Sequence, residues 1–98
     1  MKLEFHPEAE QELIEAVLRY EAEVPGLGER FDAEIREATA LLLDYPEIGT
    51  TIDSELRKLV LDRFPYSLIY NLSPDTVQVL AVAHERRPPG YWVERVDR

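Results

Sequence analysis

The chain has 98 residues, 45% hydrophobic and 32% charged, a balance that fits one folded domain over residues 1–98 and excludes a disordered chain. It contains no cysteine, which excludes disulfide frameworks and thiolate metal or redox chemistry. The net charge of -9 lies in the first half, where residues 1–50 carry four Lys/Arg against thirteen Asp/Glu while residues 51–98 carry seven of each. Any phosphate-binding surface is therefore confined to the second half, because an acidic surface repels nucleic acid before contact.

The opening MKLEFHPEAE has no apolar signal-like core, being interrupted by Glu4 and Glu8. No apolar run approaches the roughly 18 residues of a membrane span. The expectation is a cytoplasmic protein without a membrane partner. Within this opening, KLEFH alternates and places Leu3 and Phe5 on one face of a short strand. His6-Pro7-Glu8 then reads as a helix start, with Pro7 near the first helical position and an unusual His6 cap.

Ala9, Leu13, Ala16, Val17, Tyr20 and Val24 form one apolar helical stripe, ended by Pro25-Gly26. A second helix is predicted from about Gly28 to Asp44, with Phe31, Ile35, Ala38 and Leu42 on one face and Tyr45-Pro46 as its stop. The short connection makes the two an antiparallel hairpin. Its abundant Glu and Arg residues read as a solvated face, with Glu15/Arg19 and Asp32/Arg36 at i, i+4 spacing.

EIGTTIDSE reads as a loop, after which the pattern becomes strand-like. Strands are predicted at Arg57–Arg63, Tyr66–Leu72 and Thr76–Ala83, joined by Phe64-Pro65 and by Ser73-Pro74-Asp75. The last is continuously apolar after Gln78, as an interior strand is. The predicted fold class is α+β: an N-terminal strand, a helical hairpin, a three-strand antiparallel meander with the hairpin on one face, and a short C-terminal tail.

Two basic clusters stand out. Arg57, Lys58 and Arg63 mark the first meander strand, and Arg86 and Arg87 follow the last strand beside His84. A meander allows Arg63 and Arg87 to approach one another. Arginine holds phosphate oxygens bidentately and stabilises a pentavalent transition state, and histidine moves protons near neutral pH. His84, Arg86, Arg87 and Tyr91 thus supply the parts of a metal-free ribonuclease. The two histidines, His6 and His84, lie at opposite ends of the chain and make no ligand pattern, so neither a metal nor another cofactor is expected. The structural alternative has His84 bonding backbone, the arginines pairing with carboxylates, and Tyr91 and Trp92 behind rigid Pro88-Pro89 pinning the tail to the core.

In order along the chain, LEFHPEAEQELIEAVLRYE, PGLGERF, RKLVLDRFPYSLIY and VLAVAHERRPPGYWVER together resemble the RelE/ParE superfamily of type II toxin–antitoxin toxins, in its plasmid-stabilisation branch. The resemblance implies the same order of strand, helical hairpin and meander. It also implies a cognate antitoxin as partner, in a possible homo- or hetero-oligomer. RelE-like members are ribosome-associated, metal-free endoribonucleases that cleave mRNA; ParE-like members inhibit DNA gyrase. Carried onto this chain, the candidate catalytic residues are Arg63, His84 and Arg87, and the candidate substrate- or target-binding residues are Arg57, Lys58, Arg86 and Tyr91.

A toxin that enters the ribosome is expected to be basic, and a net -9 departs from that pattern. An acidic hairpin also implies basic residues on the antitoxin segment that covers it. Three readings stay open at this level: a toxin acting on a protein such as gyrase, an mRNA-cleaving toxin, and a non-toxic binding module of the same fold.

Overall fold

A computed structural model describes residues 1–96. In chain order the elements are β1 (Lys2–Phe5), α1 (Pro7–Glu23), α2 (Leu27–Asp44), β2 (Thr50–Thr51), β3 (Leu56–Val60), β4 (Tyr66–Leu72), β5 (Thr76–His84) and a 3-10 turn at Val93–Arg95. They form a five-stranded sheet of order β1-β5-β4-β3-β2. β3, β4 and β5 make the expected antiparallel meander, and β1 runs parallel to β5 with Leu3 beside Val77 and Phe5 beside Val79.

Two expectations need correction. The segment read as a loop contains β2, whose Thr50 and Thr51 pair with Lys58 and Arg57. The first meander strand ends at Val60 and not at Arg63, because residues 61–65 form the turn into β4. Arg63 is therefore a loop residue.

His6 caps α1: its Nδ1 accepts the Glu8 N–H at 3.1 Å, so the imidazole does what Ser or Asp usually does. The hairpin turn is built on Gly26, at φ 87°, and on the Glu21 carboxylate. That carboxylate accepts the Gly26 and Gly28 amides at 2.8 and 3.0 Å, satisfying free N–H groups at the start of α2. At Gly28 the two helices touch backbone to backbone: a Cβ there would lie 2.5 Å from the Val17 carbonyl oxygen. The hairpin's apolar stripes close on one sheet face around Phe31, Ile35, Leu42, Leu68, Tyr70, Val77 and Val79, all buried.

The opposite sheet face has its own smaller core. Leu56, Ile69, Leu80, Ala81 and Ala83 are covered there by Tyr91, Trp92 and Val96. The aromatic pair in the tail thus buries apolar area that the sheet alone leaves exposed.

Candidate functional site

A break in the strand alternation of β5 positions the site. Val77 and Val79 face the helices, and uninterrupted alternation would send Ala81 and Ala83 to the same face and His84 to the other. The β4–β5 register instead shifts: Ile69 faces Ala81 while its neighbour Tyr70 faces Val79, leaving Leu80 as an extra residue. Leu80 and Ala81 both join the tail-side core and Val82 returns to the helix-side core. This β-bulge turns His84 toward the helices. Its ring meets Tyr66 edge-on, centroids 4.9 Å apart.

The result is a groove of about 460 Å³ between α1 and the upper end of β5. α1 lines it with Glu12, Glu15, Arg19, Tyr20 and Glu23, and Tyr66, His84, Arg86 and Arg87 line it from the sheet side. The Arg19 guanidinium donates to the Tyr66 hydroxyl. His84 Nδ1 accepts the Arg86 N–H at 3.0 Å, so a neutral imidazole carries its proton on Nε2. Tyr20 is held protonated past the usual tyrosine range, chiefly by burial and then by the neighbouring Tyr66.

Glu12 organises the end of this groove. Its carboxylate accepts two N–H groups of Arg95 at 2.9 and 3.0 Å, the Tyr91 hydroxyl at 2.9 Å and the Val82 N–H at 3.0 Å. Arg95 also donates to the Leu80 carbonyl at 3.0 Å. These are groups on the β5 edge beyond the last residue of β1, so two side chains stand in for a missing strand. Burial pushes the Tyr91 phenol well above the usual tyrosine range, and the Glu12 carboxylate adds to that rise. Burial works against the charge on Arg95, but Glu12 more than offsets it and keeps the guanidinium protonated.

The structure brings His84, Arg86 and Arg87 together in the groove. Arg87 stacks on Tyr91 with its guanidinium carbon 3.9 Å from the ring centroid. Arg86 is exposed and makes no ion pair among the described residues. Arg63 does not line the groove; it sits in the β3–β4 turn, where its N–H reaches Glu34 at 3.2 Å. Arg57 donates to the carbonyls of Glu47 and Gly49, both at 2.9 Å, and so braces the loop before β2. Lys58 is exposed and shares a register position with Ile69, on the face turned away from the helices.

Sequence reasoning missed Arg19, Tyr66, Glu12 and Arg95. Arg19 carried a signal in its place on α1 one residue before the core Tyr20. The partnership of Glu12 with Arg95 spans 83 positions and left no local trace.

As chemistry, the groove offers one imidazole, a row of carboxylates and three arginines, none in an ion pair among the described residues. Of these, Arg19 is bonded to Tyr66 and Arg87 is stacked on Tyr91. The Tyr91 phenol donates to the Glu12 carboxylate and is held protonated, so it does not act as a proton acceptor at neutral pH. No helix among the described residues is long and apolar enough to cross a membrane.

Strand, hairpin, bulged meander and tail together define a small α+β toxin-like fold. The chain belongs to the ParE toxin family of type II toxin–antitoxin systems: the family model for the ParE toxin of the parDE system matches residues 3–89. No curated protein sequence matches. Among solved structures, the chain is similar to one from the chromosomal ParDE toxin–antitoxin system of P. aeruginosa, with 20% identity and a TM-score of 0.75. That match covers 86% of this chain and 95% of the other.

Proposed function

We propose that this chain is the toxin of a type II toxin–antitoxin pair, that it acts in the cytoplasm on an essential protein such as DNA gyrase, and that a cognate antitoxin neutralises it. The observation that carries this reading is the engagement of the nuclease-type side chains. Arg87 lies on Tyr91, Tyr91 is bonded to Glu12, and Arg63 is outside the groove that holds His84. A phosphodiester transition state needs arginines free to turn their forks onto it and a group able to exchange a proton. The net charge of -9 also opposes binding to ribosomal RNA. On this reading Arg86 and Lys58, both exposed, are target-contact residues, while Arg57 and Tyr91 support the surface from beneath.

A second reading, metal-free mRNA cleavage, is favoured by one observation: His84, Arg86 and Arg19 line the same groove. Induction of the chain without its antitoxin separates the readings, and also tests the non-toxic binding module. Growth arrest with relaxed plasmid DNA and intact mRNA supports the protein-target toxin. Arrest with cleaved mRNA, lost in His84→Ala, supports the nuclease. Unimpaired growth counts against both toxin readings.

A further inference from the structure

A glutamate from each helix takes backbone N–H groups, one at a strand edge of the sheet and one in the turn that follows β3. At β5, beyond the end of β1, Glu12 takes the Val82 N–H. Just past the end of β3, Glu34 takes the Asp62 and Arg63 N–H groups of the turn into β4 at 2.6 and 3.2 Å. Between β2 and this second cap lies Val60. Ile52 donates its N–H to the Leu56 carbonyl on the outer edge, whereas Leu61 donates to Tyr66 on the inner side. The even-numbered residues of this strand therefore turn their backbone groups outward. Lys58 meets Thr50 there, but the N–H and C=O of Val60 have no partner among the described residues. Val60 is 63% exposed.

Beside this open rung is a groove of about 230 Å³ between α2 and β3, lined by Glu34, Glu37, Leu41, Leu59, Val60 and Asp62. The second carboxylate oxygen of Glu34 is buried there without any partner. A buried acceptor left unpaired is unfavourable, and a donor brought by another chain relieves it.

We propose that an extended segment of a partner chain pairs with the backbone of Val60 and sets an arginine or lysine against Glu34 and Glu37. Backbone pairing supplies the register, the apolar wall of Leu41 and Leu59 takes an aliphatic side chain, and the unpaired carboxylate oxygen selects a basic one. Charge decides the occupant. A second copy of this chain would bring its own Glu34, Glu37 and Asp62 against the same three groups, whereas a basic segment complements them. The inference rests on the antitoxin reading: the partner is the antitoxin, and this is the surface that its basic segment covers.

Amide hydrogen exchange on the full chain, free and bound to its co-expressed antitoxin, tests this together with antitoxin affinity for Glu34→Gln. That substitution keeps an acceptor for Asp62 and replaces the free oxygen with a donor. The Val60 amide exchanges quickly in the free chain and slows at least about tenfold in the complex, and Glu34→Gln binds at least about tenfold more weakly. A complex in which Val60 exchanges at its free rate overturns the proposal even if the variant fails to fold. Wild-type affinity in a folded Glu34→Gln variant overturns the selection for a basic side chain. Absence of any complex overturns the antitoxin reading, and this inference with it.

Discussion

Glu12 and Arg95, 83 positions apart in sequence, form a two-pronged ion pair with N–O distances of 2.9 and 3.0 Å, their side chains 13% and 10% exposed. The pair ties the tail to α1 and holds two backbone groups of the β5 edge. Removing Glu12 leaves the buried Arg95 guanidinium with only the longer 3.6 Å contact to Glu8. Glu12→Ala is expected to cost about 3–5 kcal/mol of stability. Arg95→Met is expected to cost less, because its chain still fills space and Glu12 keeps the Val82 and Tyr91 donors. Urea unfolding monitored by the tail's Trp92 measures both.

The pH dependence follows from the tyrosines. Tyr20, Tyr70 and Tyr91 are each held protonated above the ordinary value of 10.0, chiefly by burial. A phenol whose folded pKa is raised contributes stability that is fully present below its unfolded pKa. That stability is lost as pH climbs above about 10, where the unfolded chain releases protons that the folded chain retains. Unfolding free energy should thus fall with pH above 10, and Tyr91→Phe should flatten the decline. A slope unchanged in Tyr91→Phe would remove this phenol from the explanation.

Gly28 sits where the helices cross, and an added methyl would meet both the Val17 carbonyl at 2.5 Å and Glu21 Cβ at 2.9 Å. Alanine ordinarily improves a helix by up to about 1 kcal/mol over glycine. Here the clash with backbone reverses the sign, and Gly28→Ala is expected to destabilise by about 1–3 kcal/mol. A rise in melting temperature would show that the hairpin has room to open.

His84 reaches the groove because β5 changes phase at Leu80, its extra residue. Deleting Leu80 removes the bulge but leaves every flanking side chain on its present face, so His84 is expected to stay on the helix side and keep its NMR contacts with Tyr66. Loss of those contacts would show that the strand slips in register instead. His84→Ala, by contrast, loses one edge-on aromatic contact and one acceptor for the Arg86 amide, and is expected to retain the fold at a cost of about 1 kcal/mol.

Periodicity made the helices and meander legible, since the stripes through Ala16 and Phe31 and the alternation of Tyr66, Leu68 and Tyr70 are local signals. The resemblance of four ordered stretches carried the family. The bulge at Leu80 was hidden because the strand is apolar on both faces after Gln78, so no polar residue marks the change of phase. β2 was hidden by its length, two threonines within a polar segment. The backbone caps were hidden more deeply. Glu12 and Glu34 look like any other glutamate on an acidic helix, and their roles depend on where β1 and β3 stop. Arg63 illustrates the converse: its place in RKLVLDR suggested a strand end, but pairing stops at Val60.

The most direct test of the proposed target uses the purified chain and its His84→Ala variant in a gyrase supercoiling assay, with ribosome-dependent mRNA cleavage measured in parallel. Both proteins should inhibit supercoiling to a similar degree and leave mRNA intact. Wild-type cleavage of mRNA that disappears in His84→Ala, with supercoiling unaffected, would contradict the protein-target reading.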